Sequence, residues 1–179
     1  MPSEQALQLL RTLDTINATA NKIIIRLDRQ ILQLFKNNSF CADYPVSTSR
    51  YGVGCEQDSL RTPLGIHQIA EKIGVGCKSG EIFQHRKATG EIAEVNTTSR
   101  HGVEDVITSR ILWLEGKEPG LNSGTGIDSY HRYIYIHGTN EEGLIGQPAS
   151  KGCVRMKNSD VIELFDQVNV GDLVLILKN

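Results

Sequence analysis

A mostly β fold with one or two short helices is the architecture this chain encodes, and three features point to it. Seventeen glycines stand against five prolines, a composition that supplies many turns. Apolar residues recur with a helical period near the N-terminus and once more near the C-terminus. Between these, from residue 22 onward, short apolar runs of strand length alternate with turn signals. No internal repeat or linker is visible, and 179 residues are enough for one domain with a sizeable core.

The elements come in this order. Residues 3–19 place Ala6, Leu9, Leu10, Leu13 and Ile16 on a helical stripe, with Ser3 as N-cap. Residues 1–21 thus read as an N-terminal helical extension, and residues 22–179 as the main domain. KIIIRL (22–27), an Asp28-Arg29 turn and QILQLF (30–35) form a β-hairpin. Tyr44–Ser49 reads as a third strand. Gly65–Ile73 and Glu81–Gln84 come next, separated by GVGCKSG, and Val106–Leu114 is a long apolar strand containing Trp113. EGKEPGLNSGTGIDSY (115–130) is a long turn-rich loop, a kind of segment that often carries function. In HRYIYIHG, period-2 alternation sets His131, Tyr133, Tyr135 and His137 on one face and the isoleucines on the other. Asn158-Ser159-Asp160 caps a helix through about Val168, and Asp172–Leu177 closes the fold.

Composition narrows the function. Hydrophobic residues make up 39%, charged residues 22%, and the net charge is −2. There is no basic patch for nucleic acid and no membrane-seeking polybasic run. Glu4 and Gln5 stand where a secretory signal carries Lys or Arg, and Arg11 and Asp14 interrupt the stretch where its apolar run would lie. A cytoplasmic location is therefore expected, and a periplasmic one if a signal has been removed. Cys41, Cys55, Cys77 and Cys153 include no C-x-x-C pair, so no structural metal and no cofactor is expected. Their spacing leaves disulfides open.

Two segments carry candidate chemistry: IHGTN (136–140) and SKGCVRM (150–156). Alone, Cys153 reads as a buried structural thiol and His137 as a strand-end histidine satisfied by backbone. Together they read differently. A loop-like connection can bring the imidazole beside the thiol, and a free thiol, with a pKa of about 8.5, needs a base to become a nucleophile at neutral pH. The ion pair that results keeps the sulfur reactive. Gly152 lets backbone approach a substrate, and the N–H groups of Gly152 and Cys153, near a helix start, are placed to meet an oxyanion. Tyr133 and Tyr135 are candidates for a substrate groove, with His131 a weaker one. Arg155 either binds a substrate carboxylate or braces the loop through a carboxylate partner. Arg61 and Arg110 read as surface or structural, Trp113 as core, and Glu141-Glu142 as a solvated turn. His67, His85, His101 and the other three cysteines have no assigned role.

H-G-T…S-x-G-C-x-R resembles the signature of the L,D-transpeptidase catalytic domain, often called the YkuD-type domain. The hairpin with Gln30, YPVSTS, RTPLGIHQI (61–69) and the closing helix and strand resemble that family in order, over roughly residues 22–178. The resemblance implies a β-sandwich or flattened barrel and a cysteine acyl-enzyme acting on peptidoglycan stem peptides. It implies Cys153 as nucleophile, His137 as general base and the Gly138 carbonyl as the group that orients the imidazole. Ser150, Gly152 and Arg155 match the frame around the cysteine. One departure is Lys151, where the family usually has His, which bears on substrate positioning.

The donor so implied is a tetrapeptide stem ending in D-Ala, attacked at the L-centre of the third residue, commonly diaminopimelate. With water as acceptor the product is a tripeptide; with an amine it is a 3→3 cross-link. The expected role is an L,D-carboxypeptidase of murein recycling acting on muropeptides. The alternatives are an exported L,D-transpeptidase and a non-catalytic muropeptide-binding module. Carbapenems are expected to acylate Cys153 in either enzyme.

Overall fold

The computed structural model describes residues 4–102 and 104–179. Ser3, the expected N-cap, lies outside them. Helix α1 (Glu4–Asp14) precedes strands β1 (Lys22–Arg26), β2 (Ile31–Lys36), β3 (Ser39–Pro45), β4 (Gly65–Ile73), β5 (Glu81–Gln84), β6 (Lys87–Ile92), β7 (Ile107–Gly116), β8 (Tyr135–Thr139) and β9 (Val154–Met156). Helix α2 (Asn158–Gln167) and strand β10 (Leu173–Leu177) complete the chain. The mostly β expectation holds. Helix α1 stops five residues early: Thr15 and Ile16 tighten to i→i−3 bonds on Thr12 and Leu13, and the Asn17 side chain accepts the Thr19 N–H. That local turn competes with continued helix.

All ten strands belong to one sheet, in the order β3-β2-β1-β10-β4-β7-β5-β6, with β8 on β7 and β9 on β8. β1 runs parallel to β10, and β8 parallel to β9; the other pairs are antiparallel. The sheet encloses a core in which Ile23, Leu34, Ile69, Leu112, Ile136, Val154 and Val174 meet Val161, Leu164 and Phe165 of α2. β1 is buried on both faces: Ile23 and Ile25 join this core, while Ile24 packs with Leu10 of α1. Leu13 covers Leu173 and Leu175 beside it. Each such buried aliphatic side chain contributes about 1.5–3 kcal/mol relative to exposure.

Three departures arise at edges and turns. The third strand lies at Ser39–Pro45, not Tyr44–Ser49; Ser47 and Ser49 instead bridge to Arg155 and Ser150. β6 (KATGEI) pairs only with β5 and is exposed along its length, so no apolar alternation marks it. The chain does not run straight through HRYIYIHG. It turns at residues 130–133, with φ +57° at Tyr133, and becomes a strand only at Tyr135.

The segment after β7 is fastened rather than loose. Asn122 donates to the carbonyls of Leu64 and Ile66 and accepts from the Glu118 N–H. His67 ties the same segment to β4. Its Nδ1 lies 3.0 Å from the Gly65 carbonyl and its Nε2 2.9 Å from Ser129 Oγ. A carbonyl only accepts, so Nδ1 carries the proton and Nε2 accepts from the serine. Burial pushes the His67 pKa down to about 4. The unfolded chain titrates near 6.5, so between these values it binds a proton that the folded chain refuses. Stability should therefore fall as pH drops from about 6.5 to about 4, by up to about 3 kcal/mol from this residue. Urea unfolding at pH 7 and pH 4.5 checks this: His67→Gln should flatten the dependence, and an unchanged slope would refute it.

Candidate active site

The parallel pairing of β8 with β9 builds the site. Its register sets Ile136 opposite Val154 and His137 opposite Arg155. Ile136, Val154 and Met156 go into the core, so alternation puts Tyr135, His137, Cys153 and Arg155 on the other face. Cys153 directly precedes β9, so its thiol and the His137 imidazole lie on the same face of the strand pair, with the thiol against the backbone of Tyr133 and Tyr135. Helix α2 begins at Asn158, as the sequence suggests, and the short strand β9 lies between it and Cys153.

The turn before the thiol is tightly held. Gly152 has φ +127°, a conformation reserved for glycine. Its carbonyl accepts from Thr62 Oγ1 at 2.9 Å, and Thr62 Oγ1 in turn accepts from the Ser49 N–H. Buried Ser150 donates to the Cys153 carbonyl at 2.6 Å and accepts from the Gly152 N–H at 3.3 Å. Its hydroxyl is spent inside the turn, so Ser150 shapes the loop rather than facing a ligand. On the other strand Gly138 has no room for a side chain: a Cβ there would sit 2.6 Å from the Thr108 carbonyl.

Protonation states follow from contacts. His137 Nδ1 is 2.7 Å from the Gly138 carbonyl, so Nδ1 carries the proton and the Nε2 lone pair remains to accept one. Burial holds the His137 pKa below the usual histidine value, with the Gly138 contact opposing it. Burial also pushes the Cys153 thiol up, to about 11, while Asp105 adds to the rise. The Tyr135 N–H, 3.4 Å from Sγ, and the guanidinium groups of Arg132 and Arg155 work the other way. The thiol itself donates to the Tyr133 carbonyl at 3.4 Å. Burial thus favours the uncharged form of both the thiol and the imidazole.

Arg155 and Glu141 are where the sequence reading changes most. Arg155 is 1% exposed, and its Nη1 lies 2.9 Å from Asp105 and 2.8 Å from Glu141. It braces the site instead of awaiting a substrate carboxylate. Glu141 is equally buried and also accepts from the Gly102 N–H, with His101 Nδ1 3.3 Å away. Glu142 accepts from both the backbone N–H and the side-chain amide of Asn158, capping α2. The Glu141-Glu142 pair is thus an internal anchor, not a solvated turn. The helix cap expected from Asn158-Ser159-Asp160 is supplied by Glu142 from across the connecting loop.

Beside the thiol stands an aromatic wall. Trp113 stacks on Tyr130 and meets Tyr135 edge-on. Tyr133, 53% exposed, tilts against Trp113, and the Arg86 guanidinium lies over both rings. Tyr135 is buried, and its hydroxyl accepts from Arg86. Of the two candidate groove tyrosines, Tyr133 is the accessible one. His131 is turned away, paired with Asp128. Alternation along HRYIYIHG groups Arg132 with the isoleucines, away from the site. The turn at Tyr133 instead lets its guanidinium donate to the carbonyls of Gly54 and Arg61, within electrostatic reach of Cys153.

Lys151 is exposed and borders a cavity of about 150 Å³ together with Arg50, His101, Asp105 and Glu141. A larger hollow of about 580 Å³ lies along the 93–106 segment and shares Gly102 with it. All four cysteines are free thiols. No cluster of three or more His, Cys, Asp or Glu side chains fit for a metal occurs among the described residues.

Comparison with known proteins agrees with this architecture. Solved structures with the same fold include an L,D-transpeptidase from Mycobacterium smegmatis, with TM-score 0.54 and 12% identity, covering 88% of this chain and 58% of that one. Another is L,D-transpeptidase LdtMt1 in complex with imipenem, with TM-score 0.52 and 16% identity, covering 88% of this chain and 59% of that one. "Putative L,D-transpeptidase YqjB" of Bacillus subtilis is 51% identical over 45 residues, 25% of this chain and 26% of that protein. The matched stretch thus spans about a quarter of that relative's length. The model of the L,D-transpeptidase catalytic domain matches residues 20–176, nearly the whole chain, and the protein belongs to that family.

Proposed function

We propose that this protein is a cysteine acyl-enzyme acting on peptidoglycan tetrapeptide stems, cleaving the bond between the L-centre of diaminopimelate and the terminal D-Ala. The observation that carries this is the shared face of Cys153 and His137, with His137 Nδ1 committed to the Gly138 carbonyl. In the reaction, His137 Nε2 takes the Sγ proton as sulfur attacks the carbonyl carbon. The Cys153 N–H and the positive charge of Arg132 offset the developing negative charge. His137 then returns the proton to the departing D-Ala amine, leaving a thioester on Cys153. Tyr133 offers an exposed ring to the stem.

Water as the second acceptor makes the protein an L,D-carboxypeptidase, the reading we adopt; Cys153 is half-buried rather than sealed from solvent, which supports it. An amine acceptor, giving 3→3 cross-links, is the second reading, favoured by the family to which the chain belongs. A cytoplasmic role in murein recycling goes with the first, an exported role with the second. Mass spectrometry of a disaccharide-tetrapeptide incubated with the protein separates them. A tripeptide lacking D-Ala is the expected product, a cross-linked dimer would establish the transpeptidase, and no product would leave only a binding module.

A further inference from the structure

The cavity that Lys151 borders has an unbalanced set of charges. Its two carboxylates are already engaged: Asp105 with Arg155, and Glu141 with Arg155, the Gly102 N–H and His101. Its two cations are not. No hydrogen bond or ion pair holds Lys151 among the described residues. Among the described residues the Arg50 guanidinium meets His101 Nε2 at 3.4 Å and the face of Tyr51, and no carboxylate. His101 already turns Nδ1 towards Glu141, so its Nε2 is an acceptor and leaves Arg50 its charge. Lys151 stands two residues before Cys153, and Asp105 both lines the cavity and bears electrostatically on Cys153 and His137. The two carboxylates of the cavity are held by Arg155, which β9 sets opposite His137, so the cavity lies on the same strand pair as the catalytic face. Its volume, about 150 Å³, suits one small amino-acid residue.

We infer that Lys151 and Arg50 form a carboxylate-recognition point, and that it takes a free carboxylate flanking the scissile bond of the stem peptide. This rests on the function proposed above and deepens it. The terminal D-Ala carboxylate is only the leaving residue's own α-carbon away from the amide nitrogen that is released. An enzyme that removes a terminal residue must distinguish a chain end from a continuing chain, and the charge at that end is the distinguishing feature. Lysine suits this as a point charge on a flexible stem, and arginine adds a planar donor fork. The carboxylate on the third residue has the same chemistry and is the other source.

The test is a set of three tetrapeptides: the free acid, its C-terminal carboxamide, and a form amidated on the third residue's side-chain carboxylate. Each is assayed with the wild-type protein, Lys151→Gln, Arg50→Gln and Lys151→Arg. On the free acid, Lys151→Gln should lower kcat/KM about tenfold, chiefly through KM, with Arg50→Gln in the same direction and partial rescue by Lys151→Arg. On the C-terminal carboxamide the same substitutions should matter less than about twofold, because the contact is already gone. If that insensitivity appears instead on the third-residue amide, the recognition point stands and its ligand is that carboxylate. Equal losses on all three peptides, or none on any, would overturn the inference while leaving the proposed reaction intact. A wild-type protein that turns over none of the three would overturn both.

Discussion

Cys153→Ala is expected to abolish release of D-Ala, a loss on the order of 10⁴-fold or more, and to abolish the covalent adduct with imipenem seen by intact mass. The substitution removes one sulfur atom from a partly exposed position and leaves the held turn around Gly152 in place. Fold and stability should therefore change little. His137→Gln should cost nearly as much, and the double variant no more than either single one, because thiol and imidazole act as one unit. The pH profile carries a sign. The base must be neutral, and burial keeps the His137 pKa below the usual 6.5, so activity should persist to more acidic pH than an exposed histidine would allow. The thiol, pushed up to about 11, should react slowly with iodoacetamide at neutral pH in the absence of substrate. Fast alkylation at pH 7, or activity surviving in Cys153→Ala, would refute this account.

The second large effect is on stability. Arg155→Met should destabilise the protein by about 3–5 kcal/mol, because it strands Glu141, 1% exposed, without its cation. For a chain of this size that lowers Tm by on the order of 10 °C. Burial works against ionisation of Glu141, but Arg155, the Gly102 N–H and His101 together hold its pKa below the ordinary carboxylate value. Its contribution is present above the unfolded pKa and is lost as pH falls through the folded one. Adding Glu141→Gln to Arg155→Met should recover part of the loss, since the buried charge is then gone. Chemical denaturation measures both variants; a loss under about 1 kcal/mol for Arg155→Met would show the network to be slack.

The sequence was most legible where burial imposes a period. KIIIRL, GIHQIAEKI and DLVLIL read as strands because each packs apolar side chains on the core, and all three are strands. It was least legible where satisfaction comes from afar. Glu141 and Glu142 look solvated in the sequence because their partners, Arg155 in the buried ion network and Asn158 at the head of α2, are recruited only by the fold. KATGEI has no buried face and so no pattern to find. Tyr133 has a left-handed backbone, which nothing in HRYIYIHG announces, and the error there hid Arg132. The motif residues His137 and Cys153 were legible as a pair, but the burial that lowers one pKa and raises the other arises only in the assembled sheet.

The position of β10 has a consequence for how the protein is made. The last strand of the chain lies between β1 and β4, in the interior of the sheet. Until it leaves the ribosome, β1 and β4 each present an open edge, one belonging to the hairpin and the other to the strands that carry the site. Neither half can borrow the other, because their register passes through Leu173–Leu177. Strand β10 must therefore be synthesised before the sheet can close, and until then the nascent chain waits with two adhesive margins exposed. A stop codon just before Leu173, although beyond every residue of the site, would yield an aggregating product rather than a weakened enzyme.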